Sequence, residues 1–329
     1  MNGVLIIDKP SGLTSHDVVN RVRRILGQRS VGHLGTLDPM ATGVLPMVLG
    51  SYTRLAQFYT ASEKTYEGVI RFGFSTNTYD AEGEPTSNPQ PVNLTLAQLQ
   101  QLAIEFQGLI EQLPPSFSAK KIHGVPAYKL ARKHQQVELT PVQVEIKEFA
   151  IREFGDDRAA FRARVASGTY MRSVAHDMGQ RLGCGAHLAT LRRTAVAEFD
   201  IAQAHTLEEL EAVTGKIKLC HSGGSIAFLQ EKQCEAEESA AASPHRSTQF
   251  EEMFVHPRQL LPQLPSVTAD ELSAAHIRNG RAVNLADFSR ARQVKVFCGQ
   301  RELLAVATRV AGTLFHPKIV FASEPMIHG

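Results

Sequence analysis

The sequence predicts an α+β fold in two parts, a larger domain over residues 1–262 and a small β-rich domain over 263–329. Three observations carry this. The chain has 329 residues, more than the ~100–200 of a typical single domain. Apolar residues recur with strand period in some stretches and with helix period in others along the first part. The patterning then dissolves over residues 214–256 and returns as a short helix followed by closely spaced strands.

The elements follow in order. Val4 to Ile7 reads as a buried strand, closed by Lys9-Pro10-Ser11-Gly12. A helix follows from about Ser15, with Val18, Val19, Val22, Ile25 and Leu26 on one face and Gly27 to end it. Residues 28–43, rich in Gly, Pro and polar side chains, read as a long ordered loop, a type often given to function. Lys64 to Phe74 alternates as a strand, with Tyr66, Ile70, Phe72 and Phe74 on one face. Thr95-x-x-Gln98 is a capping box opening a helix with Leu99, Leu102 and Phe106 inward and Gly108 after it.

Strands are expected at Val142 to Phe149 and Ala159 to Val165, and a helix through Met171, Val174, Ala175, Met178 and Leu182, stopped by Gly183. The segment 214–256 reads as a flexible insertion. Beyond it, Thr268-x-x-Glu271 reads as a second capping box, with Gly280 after its helix. Strands then lie near Val294 to Cys298, Leu303 to Val310 and Lys318 to Ala322.

Composition excludes several classes. Net charge is +2, so the sum alone does not mark a nucleic-acid binder. Its distribution is uneven: Lys120, Lys121, Lys129, Arg132 and Lys133 form one basic stretch and Arg152 to Arg193 a looser second, which suits a phosphate-facing surface. Cys184, Cys220, Cys234 and Cys298 show neither a CxxC pair nor metal-ligand spacing, so a reduced, cytoplasmic protein with no metal site is expected. The first residues lack the apolar run of a signal peptide, and no stretch of ~18 apolar residues offers a membrane span.

The stretch GHLGTLDPMATGVLP holds Asp38 between Leu37 and Pro39, within a loop framed by Gly32, Gly35 and Gly43. Alone, Asp-Pro reads as a turn. The stretch as a whole resembles the catalytic motif of the TruB-type tRNA pseudouridine synthases. So do KPSGLTSHDVV, KTYEGVIRFGFSTNTYDAEG, PPSFSAKKIHGVPAYKLAR, GTYMRSVAHDMG and LATLRRTAVAEF, in the family's order.

The resemblance implies a pseudouridine-synthase fold: a mixed, mainly antiparallel central sheet flanked by helices, followed by a small PUA-like C-terminal β-barrel. It implies isomerisation of the T-loop uridine at position fifty-five of tRNA, which cuts the N-glycosidic bond, turns the base and rejoins it through carbon. It implies no cofactor, no membrane, and a monomer working on the tRNA T-stem loop without an obligate protein partner. A base held inside a folded loop must be swung out before its sugar bond is reachable.

By the same resemblance Asp38 is the nucleophile, attacking either the sugar C1′ or the base C6, Arg172 keeps it ionised, and Tyr66 stacks on the base. His33 fills the space the base leaves, Leu191 lines the pocket and Asp80 is a polar neighbour; apart from the resemblance, Lys64 is a candidate for phosphate contact. Plainer readings stand beside these: His33 as a turn histidine, Tyr66 as a core aromatic, Asp80 as a turn aspartate ahead of Gly83. Arg172 has a physical argument of its own. It falls in the first turn of its helix, where a cation opposes the helix dipole, so it needs a carboxylate partner. The rival from another class is a tRNA-binding or folding chaperone that acts without chemistry.

Overall fold

The computed structural model describes residues 1–117, 121–122, 125–126, 139–222, 249–286 and 290–321, with side chains described to residue 215 in the fourth of these segments and none for 121–122 and 125–126. The basic stretch Lys120 to Lys133 therefore falls outside the described side chains. The chain divides into two compact units: Met1–Leu37, Val44–Thr60 and Glu198–Gly329 in the first, Asp38–Gly43 and Ala61–Ala197 in the second.

In the first unit β1 (Gly3–Lys9) is followed by α1 (Ser15–Leu26), β2 (Val31–His33) and, from Val44 onward, β3 (Thr42–Leu49). α1 begins where the side chain of Thr14 accepts from the Asp17 N–H and Asp17 reciprocates, and it ends on Gly27 in the left-handed region. Its Val18, Val19, Val22 and Ile25 pack with Leu5, Ile7, Leu45 and Met47 in one core. The loop expected over 28–43 is shorter than predicted, because Val31 and His33 pair with Leu49 and Met47 in an antiparallel ladder. α2 (Ala56–Tyr59) closes this part.

The second unit is a sheet in the order β10-β4-β9-β8-β5. Its strands are β4 (Lys64–Phe72), β5 (Gly108–Gln112), β8 (Val142–Gly155), β9 (Arg158–Val165) and β10 (Ala186–Val196). All four of these pairings are antiparallel, while Thr42 and Gly43 run parallel to Arg192 and Arg193 of β10. A mixed, mainly antiparallel sheet is thus what forms. α3 (Leu96–Glu105) opens with the Thr95–Gln98 capping box, and α4 (Met171–Arg181) spans the helix read from its apolar spacing. A short ladder pairs β6 (Lys121–Ile122) with β7 (Val125–Pro126).

Two differences from expectation have clear causes, and a third is a strand the sequence reading missed. β8 runs to Gly155 rather than Phe149, since Asp156 and Asp157, both at positive φ, turn it directly into β9. β4 stops at Phe72 because Gly73 takes φ 105. β10 was not read as a strand at all, although it is the strand that carries Leu191 and Arg193.

Within the first unit the chain resumes with β11 (Phe199–Asp200) and α5 (Leu207–Ser222), so helix continues well past residue 214. Met253 is again in the core. The C-terminal sheet has the order β12-β14-β15-β16-β13, from β12 (Ser266–Thr268), β13 (Val283–Asn284), β14 (Gln293–Cys298), β15 (Glu302–Ala311) and β16 (Leu314–Val320). This is the small PUA-like β module. Its helix α6 (Glu271–Arg278) is capped by Asp270, whose carboxylate accepts from the Ser273 N–H at 2.7 Å; Thr268 instead ends β12. Glu198 accepts from the Leu261 N–H at 2.9 Å and from the Tyr59 hydroxyl, while buried Lys295 donates to the Leu260 carbonyl at 2.6 Å. Among the described residues no helix is long and apolar enough to cross a membrane.

Candidate active site

The loop that carries Asp38 is a β-turn: the Ala41 N–H donates to the Asp38 carbonyl at 3.1 Å, with Pro39 at the position its fixed φ favours. Beyond the turn, Gly43 sits at φ 101, and a Cβ there would lie 2.1 Å from the Arg193 carbonyl oxygen. Only glycine lets the backbone pass this close to β10. The turn reading of Asp-Pro is therefore what forms, a stiff turn that presents a carboxylate.

Arg172 lies at the second position of α4, behind its N-cap Tyr170. Its guanidinium gathers four oxygen-bearing groups. Nη2 donates to Asp38 Oδ1 at 3.1 Å and to the Phe117 carbonyl at 2.9 Å, and Nη1 donates to the Thr78 carbonyl at 3.2 Å. Nη1 also lies 3.3 Å from Asp80 Oδ2. Nε is 2.9 Å from Asp38 Oδ2 without its N–H aimed along that line, so this contact is ionic rather than a second hydrogen bond. A cation in the first helical turn meets the positive end of the dipole, and two carboxylates with two carbonyls offset that.

The two carboxylates are not equivalent. The Asp38 side chain is 36% exposed and the Asp80 side chain 5%. Asp80 spends its other oxygen internally, accepting from the Thr78 hydroxyl at 2.6 Å and the Glu82 N–H at 3.1 Å. Its loop lies against β10, where the Leu188 N–H donates to the Tyr79 carbonyl and the Ala81 N–H to the Leu188 carbonyl. Of the two carboxylates on Arg172, Asp38 is thus the more exposed, and Asp80 is built into the loop beside it.

Tyr66 on β4 stands opposite Arg193 on β10, and Leu191 stands opposite Gly68, so Tyr66, Leu191 and Arg193 share one face of the sheet. Tyr66 and Leu191 are buried, at 7% and 8% exposure. Arg193 is fully buried. Burial pushes its guanidinium below the ordinary value, and a hydrogen bond with the Tyr66 hydroxyl and the Asp38 charge partly restore it. Sequence reasoning missed this residue, as it missed its strand. The available signal was the pair Arg192-Arg193 in LRRTAV, which a strand must send to opposite faces.

Lys64, two residues before Tyr66, donates to the Ser62 carbonyl at 2.8 Å. Burial, with Arg193 close by, brings its ammonium down to about 8. His33 lies in the first unit at the end of β2, opposite Met47, on a strand rather than in the turn its plainer reading assumed. Lys9, buried in the same unit, donates to the Pro10 carbonyl at 2.8 Å. Of the residues read from the sequence, the second unit brings together Asp38, Arg172 and Asp80 directly, and Tyr66 and Leu191 through the face that holds Arg193. Among the described residues no three His, Cys, Asp or Glu side chains converge as a metal site would require.

Comparison with known proteins identifies the family of the chain. Residues 23–171 match the model of the TruB family pseudouridylate synthase N-terminal domain, and residues 172–220 that of the tRNA pseudouridylate synthase B C-terminal domain. A tRNA pseudouridine synthase B from Solibacter usitatus is 46% identical over 323 residues, covering 97% of this chain and 100% of that protein. One from Azoarcus sp. is 35% identical over 324 residues, covering 98% and 96%. Among solved structures, an H/ACA RNP bound to a substrate RNA containing 2′-deoxyuridine superposes with a TM-score of 0.65 at 22% identity, covering 98% of this chain and 85% of that one. A Cbf5-Nop10-Gar1 complex gives 0.65 at 24% identity, covering 97% and 85%. At such identities the structural likeness is one of fold. Near-complete sequence coverage by the two curated relatives carries the stronger conclusion: the chain belongs to the TruB family of pseudouridylate synthases.

Proposed function

We propose that this protein isomerises the T-loop uridine at position fifty-five of tRNA to pseudouridine, with Asp38 as nucleophile, working as a monomer in the cytoplasm and without metal or cofactor. One observation carries the assignment of the nucleophile. Of the two carboxylates on the buried Arg172, Asp38 keeps 36% of its side chain exposed, while Asp80 is 5% exposed and also accepts from Thr78 and Glu82. The Arg172 guanidinium donates to Asp38 within hydrogen-bonding distance and places a fixed positive charge beside this partly exposed carboxylate. The carboxylate reaches the flipped nucleotide as an anion, whether it attacks C1′ or C6.

The remaining roles follow from the chemistry of the groups. Tyr66, with its ring packed against the sheet and its hydroxyl tied to Arg193, offers a flat face to the extruded uracil. Leu191 keeps water from the reacting atoms, which strengthens the Asp38–Arg172 attraction. Lys64 holds an RNA phosphate, and His33 enters the space the base vacates. Asp80 supports Arg172. The module from residue 263 onward adds backbone contacts that position the RNA without reading its sequence.

The test uses a T-stem-loop RNA and the full-length chain. Asp38→Ala is expected to lower pseudouridine formation by at least ~10³-fold while RNA affinity stays within about threefold, since phosphate contacts supply most of it. Undiminished turnover by Asp38→Ala would refute the nucleophile. Wild-type protein that binds this RNA and never converts it would instead favour the chaperone reading.

A further inference from the structure

Arg172 is held from one side by a loop whose own anchor the proposed chemistry does not use. The two oxygens at Nη1 come from Thr78 and Asp80, and the residue between them is Tyr79. Tyr79 has φ 65, a left-handed backbone that a bulky residue rarely adopts unless its surroundings hold it there. Its ring lies on the ring of His176, with centroids 3.8 Å apart and planes 16° from parallel.

His176 follows Arg172 by four residues on α4, so the two side chains stand one above the other on the same helix face. The Nδ1 of His176 is buried and makes no hydrogen bond to the described residues. Burial also holds its imidazole below the usual range. With its Nδ1 buried and without a partner among the described residues, what His176 presents to Tyr79 is its ring face.

We propose that the Tyr79–His176 stack is a clip that positions Arg172, fastening the 76–80 loop to the same helix face that carries the guanidinium. The loop is then tied at two kinds of contact. Its backbone is pinned to β10 through Leu188, and its tyrosine ring is pinned to α4 through His176. With both in place, the Thr78 carbonyl and the Asp80 carboxylate stand where Nη1 needs them, which leaves Nε and Nη2 facing Asp38. Loosening the ring lets α4 and the loop drift, and the guanidinium loses its aim at Asp38 before it loses its charge. Tyr79 and His176 are positioning residues; neither is placed against the reacting atoms. The inference rests on the reading that Asp38 and Arg172 form the reactive pair.

The experiment measures single-turnover and steady-state rates on T-stem-loop RNA for Tyr79→Ala, Tyr79→Gly, Tyr79→Phe and His176→Ala, beside Asp38→Ala. A stack of this kind corresponds to roughly threefold to tenfold in rate. Tyr79→Ala and His176→Ala should each lower kcat by that factor with KM for RNA unchanged, their effects should not multiply in the double variant, and Tyr79→Phe should retain the wild-type rate. Tyr79→Gly relieves the left-handed backbone while removing the ring, so it should fold well and still lose kcat. Wild-type kcat in Tyr79→Gly, a rise in KM in place of a fall in kcat, or no retention by Tyr79→Phe would overturn the clip. If Asp38→Ala is inert while Tyr79→Ala is fully active, only the clip fails; if Asp38→Ala turns over, the reading beneath it fails.

Discussion

Two arginines in the second unit each hold two carboxylates, and they illustrate opposite uses of the same chemistry. Arg164 meets Glu148 at 2.6 Å and Glu63 at 3.0 Å, and Lys147 joins from the side. Arg172 meets Asp38 and Asp80 at comparable distances. The Arg164 side chain is 41% exposed and its Glu partners more than a third exposed, whereas Arg172 is 5% exposed. Arg164 bonds side chains that are free to leave for water. Arg172 bonds two backbone carbonyls as well, and these cannot leave. Distance therefore does not separate the buried arginine from the surface one here. Burial and attachment to fixed backbone do.

The sharpest way to break this comparison is to remove each arginine. Arg172→Met strands Asp38, Asp80 and two carbonyls around an apolar side chain. Loss of one partner from a buried pair costs about 3–5 kcal/mol, readable by urea unfolding, and isomerisation should disappear with it. Arg172→Lys, which keeps the charge and loses the planar fork, should recover part of the stability and little of the activity. Equal activity in the lysine variant would show that charge alone suffices at Asp38.

A middle-sized effect is expected at Lys64, where burial brings the ammonium to about 8. The folded value is lowered, so the unfolded chain holds more protons between pH 8 and the ordinary lysine range. Stability contributed by this group is lowest below pH 8 and rises through that window. RNA binding should move the other way, weakening as pH rises past 8 and the cation is lost. Titrating affinity for T-stem-loop RNA from pH 6.5 to 9.5 checks this, and Lys64→Arg should remove the step. An identical decline in the arginine variant would assign it elsewhere.

The smallest effect belongs to the exposed cluster. Arg164→Ala should leave the melting temperature within about 2 °C and the isomerisation rate unchanged, with any difference shrinking in high salt. A loss matching that of Arg172→Met would show that burial is not what separates the two.

Much of the fold was legible because its signals are local. The apolar stripe of α1 with Gly27 after it, the Thr95–Gln98 cap and the spacing of Met171, Val174 and Met178 each report on a turn or two of helix. The second cap was misread: Thr268 and Asp270 both precede Glu271, and pairing of Thr268 into β12 decides which of them caps. β10 escaped for the opposite reason. Its sequence AHLATLRRTAV alternates poorly because side chains such as His187 and Arg193 are buried by contacts distant in the chain.

By itself, the sequence determined the α+β fold class and the family, since an ordered series of motifs can be read along the chain without its folding. Only the tertiary structure decided which carboxylate on Arg172 is the more exposed, that Arg193 joins Tyr66, and that Tyr79 lies on His176. Each of those depends on residues far apart in the chain meeting at van der Waals or hydrogen-bond distance. Exposure and pairing at that range are properties of packing, to which local residue patterns carry no signal.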